Sequence, residues 1–441
     1  MTRMLSTLPN KPGARKLSEP FAARKNAALQ VRPAQPDDAA SIAQLYRIIY
    51  MVNDPRDATK HYPFPQFMQE AWLRTAIGSA DFVWFAAFID QSVVGTVVGV
   101  RNIGGNGKPL AEICGLVVHP EHRCLGVATR LLTSLHGELS EDTDLIFAET
   151  RTAEAGAWKI FRKFGYMPLG FEPAAHRTPM GLEPMLVQCL YLNGRVPTGQ
   201  CACYGTREVQ SLQAAVACLP RFGACISRSE PFSMRPGLPI RPAASLLRQP
   251  NPCVRVKAEA THRATRLLDA YFQQHCSLTL PLSFYGGNEN TGGRITRRRY
   301  FVFSGDRPVA LAEVVFDRTD RRARITALRS PADAPPLITE LLPAILAFWD
   351  DGPMSVVLEI YAANVALQTE LQACGFFPTV YYPAVAYLKD SAVDGVQMVY
   401  LHRFEMEDNL LWGRQVDWPQ ARMVIERIAE LSTRLGKDYV N

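Results

Sequence analysis

The sequence predicts an α/β protein built from two copies of one domain, each a mixed central sheet flanked by helices. Three observations lead there. Segments that alternate apolar and polar residues are interleaved with segments of helical period. The 441 residues exceed the about 250–300 over which a single core keeps growing. One stretch also recurs without a gap: AETRTAEAGAWKIFRKFGYMPLGFEPA from Ala148 is echoed by LEIYAANVALQTELQACGFFPTVYYPA from Leu358. The offset is 359 − 149 = 210, and it pairs Glu149 with Glu359, Gly165 with Gly375, Pro168 with Pro378 and Pro173 with Pro383.

The elements follow in order. ALQVRPA from Ala28 alternates as a strand. PDDAASIAQLYRIIYMV follows as a helix, with Asp37 or Asp38 placed to cap it and Ile42, Leu45, Ile48 and Ile49 as its apolar stripe. Pro, Asp and aromatic residues make 53–66 a loop, and PQFMQEAWLRTAIGS a second helix. FVWFAAFIDQSVVGTVVGV reads as a hairpin turning at Asp90-Gln91. A Gly-rich turn leads to the strand AEICGLVV, then DLIFAET, the helix EAGAWKIFRKFG and a strand near MLVQCLYL. Residues 29–193 thus form one domain. Pro, Gly, Cys and Arg make 194–252 a linker with one helical pattern, REVQSLQAAVACL, and 253–441 the second domain.

Composition narrows the class. Apolar content of 47% and charged content of 20% suit an ordinary soluble protein, and the apolar run Phe82–Ile89 is far short of the roughly 18 residues of a membrane span. A net charge of +6 suits an anionic small ligand and is too diffuse to indicate nucleic acid. The Gly-rich, then basic FYGGNENTGGRITRRRYFVF reads as a turn entering a hairpin strand, with no base-stacking module around it. Residues 1–28, basic and rich in Pro and Ser, read as a disordered tail, an organelle transit segment being the alternative. The ten cysteines lack paired C-x-x-C knuckles, so no metal is expected, and a reduced cytoplasmic protein is.

VVHPEHRCLGVATRLL, from Val117, has the order strand, glycine turn, helix. Gly126 lets backbone approach a ligand, and the free amides and dipole of the helix start attract an anion, with Arg123 and Arg130 adding charge nearby. The R-x-x-G-x-A pattern of Arg123, Gly126 and Ala128 after a V-x-P strand end resembles the acetyl-CoA pyrophosphate loop of the GNAT acyltransferase superfamily. So do the R-P-A-x-x-x-D-A start at Arg32–Ala39 and the Phe164-Gly165-Tyr166 end. The resemblance covers residues 29–192, and the second half shares its outline.

It implies an acyl-CoA-dependent, most simply acetyl-CoA-dependent, N-acyltransferase. Pantetheine would lie between AEICGLVV and DLIFAET along Leu116, Val117 and Val118, and Arg123, Cys124, Leu125, Gly126, Val127, Ala128 and Thr129 would hold the pyrophosphate. Glu112, 14 residues before Gly126, falls where family members place a general base. At the family's usual thiolate-protonating tyrosine stands Phe161, also beside the expected CoA path. Tyr166 and His136 are then the nearby candidates for a donor. Asp54, Asp57, His61 and Tyr62 fall in the acceptor loop. Arg151 either meets an acidic acceptor group or pairs with Glu149 or Glu154. Trp84, Phe85 and Phe88 read as core.

The second copy shows no such loop after RITALRS. PADAPPLITELL stands there, and its Pro335 and Pro336 have no amide hydrogen to offer a phosphate. The expectation is one working domain and one degenerate copy, packed as an intramolecular pseudo-dimer, acting on a small amine or amino-acid-like metabolite. Two other readings stay open: a GNAT-fold enzyme that hydrolyses or decarboxylates acyl-CoA without an amine, and a non-catalytic acyl-CoA-binding module.

Overall fold

The computed structural model describes residues 29–50, 65–104, 109–152, 155–178, 181–192, 205–217, 254–258, 262–275, 277–280, 282, 295–331, 338–350, 353–388 and 391–402, with positions 416 and 426. The basic tail, most of the linker and the Gly-rich stretch 284–293 lie outside these.

β1 (Gln30–Pro33) leads through a 3-10 turn (Pro36–Asp38) into α1 (Ala39–Tyr50). Asp38 sets that entry: its carboxylate accepts the Gln35 amide at 2.7 Å and pairs with Arg32 at 2.7 Å. α1 buries Ala39, Ile42, Ala43, Leu45 and Tyr46, whereas Ile48 and Ile49 of the expected stripe are half-buried. The expected single helix from Pro65 divides into a 3-10 turn (Pro65–Met68) and α2 (Glu70–Ile77), because Gln69 between them is extended.

β2 (Phe82–Ile89) and β3 (Ser92–Arg101) form the expected hairpin. Asp90 and Gln91 both take positive φ, 48° and 64°, the turn hand that matches strand twist. β4 (Leu110–Val118), α3 (Val127–Leu139), β5 (Leu145–Arg151) and α4 (Ala155–Lys163) follow. Beyond α4 there are two long strands rather than one, β6 (Met167–Thr178) and β7 (Gly181–Tyr191). Pro168 and Pro173 interrupt the alternation that reveals a strand, and β6 absorbs them by register shifts at Pro168/Gly170 and Glu172/His176. α5 (Arg207–Ala217) covers most of the helical pattern expected within 194–252.

The second half contains β8 (Val254–Ala258), α6 (His262–Gln273), β9 (Ile295–Ser304), β10 (Arg307–Asp317), β11 (Arg322–Arg329), α7 (Ile338–Leu346), β12 (Ser355–Tyr361), α8 (Val365–Ala373), β13 (Phe377–Leu388) and β14 (Ser391–Leu401). Among the described residues one sheet of 14 strands runs through both halves, in the order β1-β2-β3-β4-β5-β7-β6-β13-β14-β12-β11-β10-β9-β8. Read outward from the β6–β13 seam, both halves carry the same strand order, each with one parallel pair, β4 with β5 and β11 with β12. β13 even repeats the irregularity of β6: Ala384 takes φ 45° where Ala174, 384 − 210, takes φ 51°.

At the seam Gly170 pairs with Val380. A Cβ there would run into the Thr379 carbonyl and stand 2.5 Å from the Val380 Cα. On one face of the first half, α3 buries Val127, Leu131, Leu132, Leu135 and Leu139. Gly95 and Gly99 of β3 let α3 approach, since a Cβ on them would come within 2.8 Å of Val127 and 2.9 Å of Leu139. The opposite face shares an apolar core with the second half, where Phe147 meets Tyr382 edge-on at 5.8 Å between ring centroids. Charges also cross between the halves. Glu172 of β6 is buried against Arg322 and Arg324 of β11, with the Gln397 amide donating at 2.8 Å, and Arg324 pairs in turn with Glu359. Buried charges persist only when paired in this way. α5 docks on the second half, the Thr206 amide donating to Gln368 Oε1 at 2.9 Å. Among the described residues no helix is long and apolar enough to cross a membrane.

Candidate functional site

The site begins where β4 and β5 part. They pair in parallel from Leu110↔Leu145 to Ile113↔Ala148 and no further. Beyond that point β4 continues with β3 and β5 with β7. The cause is a bulge: between Cys114↔Val98 and Val117↔Thr96, the two residues Gly115 and Leu116 oppose Val97 alone. Gly115 takes φ 62°, and Tyr46 Oη donates to its carbonyl at 2.6 Å. A Cβ there would lie 2.5 Å from Tyr46 Oη and 2.9 Å from Phe67, so only glycine fits. This contact also explains why Tyr46, rather than Ile49, faces the sheet. Leu116 and Val118 edge the resulting gap, and Val117 packs inward.

The loop expected to hold an anion follows directly. His119 Nδ1 accepts the Glu121 amide at 3.3 Å and opens a 3-10 turn (Pro120–His122). Cys124 (φ 64°) and Gly126 (φ 79°) both adopt the left-handed conformation. Gly126 is the N-cap of α3, makes no side-chain cap, and accepts the first intrahelical bond from the Arg130 amide at 3.0 Å. The amides of Val127, Ala128 and Thr129 therefore precede the hydrogen-bonded ladder at the positive end of the dipole. Arg123, Cys124, Leu125 and Gly126 are exposed, and a Cβ at Gly126 meets nothing within 4 Å, so the helix start faces open space. Arg123 Nε reaches back to the Val118 carbonyl at 3.4 Å. Arg130 also donates to the Leu29 carbonyl at 2.6 Å and tethers the start of β1.

The residues proposed for proton transfer separate into two groups. Glu112 is buried on β4, opposite Phe147, on the strand face that also carries Cys114 and Glu149. Burial, reinforced by the Glu112 and Glu149 charges, pushes the Cys114 thiol well up, so it stays a thiol. On the other sheet face, Phe161 is buried edge-on against Tyr166 at 4.9 Å. Tyr166 Oη lies 2.9 Å from His136 Nε2. Burial lifts the Tyr166 hydroxyl well above its ordinary range and pulls the His136 imidazole down to about 4. Both stay neutral near pH 7 and form a core pair.

Arg151 meets a carboxylate of β7. Its Nε lies 2.6 Å from Glu183 Oε2 on β7, a strand neighbour in space that sequence proximity does not reveal. Asp54, Asp57, His61, Tyr62 and Glu154 lie outside the described residues, as do Pro335 and Pro336. Trp84, Phe85 and Phe88 are buried as core.

Sequence reasoning expected the second half as a packing partner and named none of its residues at the site. Tyr382 stands against Phe147, and His176 Nδ1 lies 3.3 Å from Asp320, both buried. The 210-residue echo aligns Glu172 with Tyr382, a usable signal had β6 and β13 been recognised as strands. The counterpart of Glu112 follows from register: Leu110 pairs with Leu145 and Arg322 with Ser355, so two residues on Glu112 matches Arg324. An arginine held between Glu172 and Glu359 cannot serve as a base. Among the described residues no cluster of His, Cys, Asp and Glu is arranged to hold a metal ion.

Residues 42–166 match the family model described as acetyltransferase (GNAT) family. No curated protein matches the chain. Among solved structures, the chain is similar to an acetyltransferase of the GNAT family from Streptococcus pneumoniae, at 15% identity over 38% of this chain and 100% of that one, with a TM-score of 0.32. It is also similar to an N-acetyltransferase from Staphylococcus aureus, at 18% identity over 38% and 100%, TM-score 0.32. A third is Arabidopsis thaliana NAA60 in complex with acetyl-CoA, at 14% identity over 38% and 99%, TM-score 0.32.

Proposed function

Residues 42–166 form an acetyltransferase domain of the GNAT family, and from that premise we propose that the chain moves an acyl group, most simply acetyl, from CoA directly to a small amine or amino-acid-like metabolite. The observation that carries this reading is the left-handed Gly126 at an uncapped helix start, beside two strands parted by a glycine bulge. The amides of Val127 to Thr129, with Arg123, face the pyrophosphate. The pantetheine arm lies along Leu116 to Val118 in the gap.

In the transfer, the amine nitrogen forms a bond to the thioester carbonyl carbon and the carbon–sulfur bond breaks. Glu112, buried on β4 opposite Phe147, takes the proton the amine loses. CoA leaves as a thiolate that is protonated from solvent, since Phe161 has no hydroxyl and Tyr166 is engaged with His136. Residues 29–193 are the acting domain, 194–252 the linker, and 253–441 a degenerate copy that makes the pseudo-dimer. The repeated strand order and the matched Ala174 and Ala384 support that division. A reducing, cytoplasmic setting suits the free thiols Cys114, Cys124, Cys189 and Cys374.

The test is thiol release from acetyl-CoA with and without a panel of primary amines and amino acids, on the wild type and on Glu112→Gln. Amine-dependent release that falls about 100-fold or more in the variant is expected. Release without any amine indicates acyl-CoA cleavage instead, and binding without turnover across the panel indicates a non-catalytic module.

A further inference from the structure

The second half also has a parted pair of strands, and that gap is filled. β11 and β12 pair in parallel only from Arg322↔Ser355 to Arg324↔Val357. A bulge then follows, with Val314↔Ile325 and Glu313↔Ala327 leaving Thr326 over. From there β11 stays with β10 and β12 with β14, as β4 and β5 do with β3 and β7.

Into this gap runs a segment of the same chain. The Leu278 amide donates to the Leu328 carbonyl at 2.7 Å on one side, and the Leu280 amide to the Glu359 carbonyl at 2.8 Å on the other. Ser277 pairs antiparallel with Arg329, and Thr279 with Ile360. Thr279 Oγ1 donates to the Thr326 carbonyl at 3.2 Å, at the bulge itself. Arg329 fixes the entry by donating to the His275 carbonyl at 2.8 Å. Thr279, Leu280 and Leu282 are buried, and Leu280 presses on Gly395, where a Cβ would not fit. At its far end Leu282 pairs with Gly104 of the first half. Among the described residues no segment pairs into the gap between β4 and β5.

We propose that Ser277–Leu282 is a built-in occupant of the second half's cleft, so that the chain takes up one acyl-CoA, in the first half, while the second half acts as a clamp. This rests on reading the first gap as the acyl-donor site. A pantetheine arm is an extended, amide-bearing chain, and it needs unpaired strand edges to hydrogen-bond. In the second half Leu328 and Glu359 have already given those edges to Leu278 and Leu280. Leu282 and Gly104 extend the strap to the turn that leads into β4, so the filling of one cleft also braces the other half.

Hydrogen exchange on the intact chain, with and without saturating acetyl-CoA, tests this together with calorimetric stoichiometry. The Leu278 and Leu280 amides should exchange as slowly as those of β11, unchanged by acetyl-CoA, while residues 123–129 gain protection and one molecule binds per chain. Fast exchange at Leu278 and Leu280 in the free protein, acceleration there on adding acetyl-CoA, or two molecules bound overturns the proposal. No binding combined with slow strap exchange removes the donor reading of the first half and leaves the filled cleft standing. The double variant Leu278→Pro, Leu280→Pro removes both donors. It should speed exchange at the C-terminal ends of β11 and β12 at least tenfold and leave acetyl-CoA affinity within twofold; unchanged exchange there counts against the strap. Should that variant not fold, the wild-type exchange pattern decides alone.

Discussion

Replacing Gly126 with alanine isolates the conformational demand of the anion loop. Gly126 sits at φ 79°, ψ 4°, where a side chain is penalised by roughly 1–2 kcal/mol. A Cβ built there touches nothing within 4 Å, so the penalty of Gly126→Ala is torsional and not steric. Gly137, further along α3, supplies the control. Its Cβ also meets nothing within 4 Å, but its backbone is ordinary helix, so Gly137→Ala should stabilise the chain by about 0.5–1 kcal/mol. If the free loop of Gly126→Ala keeps its shape, the penalty appears as lost stability. If the loop relaxes and must be driven back on binding, it appears as a roughly 5- to 30-fold rise in Kd, at about 1.4 kcal/mol per tenfold. Urea unfolding and calorimetric titration of acetyl-CoA on both variants measure the two parts, whose sum should be about 1–2 kcal/mol. A Gly126→Ala chain as stable and as tight-binding as wild type, or one indistinguishable from Gly137→Ala, refutes the reasoning.

Three further outcomes follow from the packing. Burial lowers His136 from 6.5 to about 4, so the unfolded chain binds more protons between those values. Stability should fall by roughly 3 kcal/mol as pH drops across that window, and His136→Gln should flatten this part of the stability–pH curve. Burial works against the Glu172 carboxylate, but Arg322, Arg324 and Gln397 outweigh it and hold the group below its ordinary range. Its stabilisation is complete above the usual glutamate range and lost as pH falls through the lowered value; Glu172→Gln at neutral pH should cost roughly 3–5 kcal/mol in urea unfolding. Gly170→Ala drives a methyl into the Thr379 carbonyl at the seam. A loss of about 1–3 kcal/mol is expected, and thermal unfolding that separates into two transitions would show that the seam joins the halves.

The sequence by itself determined what local chemistry controls. Alternation and helical period marked β2, β3, β4 and β5 and the helices α1, α3 and α4. Asp38 fixed the helix entry, though by accepting the Gln35 amide behind it rather than as the N-cap, Asp90-Gln91 made the turn, and Gly126 marked the left-handed helix start, because each depends on a few neighbouring residues. The 210-residue echo announced a repetition that the strand order of the two halves matches. Tertiary structure alone decided the rest. β6 and β13 were hidden by their prolines, and each shifts register twice against its partner strand in a way that local alternation does not show. Arg151 found Glu183, Arg130 found the Leu29 carbonyl and Glu172 found Arg322 across separations that no spacing rule covers. Leu278 and Leu280 entered the β11–β12 gap because the bulge in β11 parted it from β12 and left unpaired edges there, and buried backbone groups must be satisfied by whatever part of the chain can reach them.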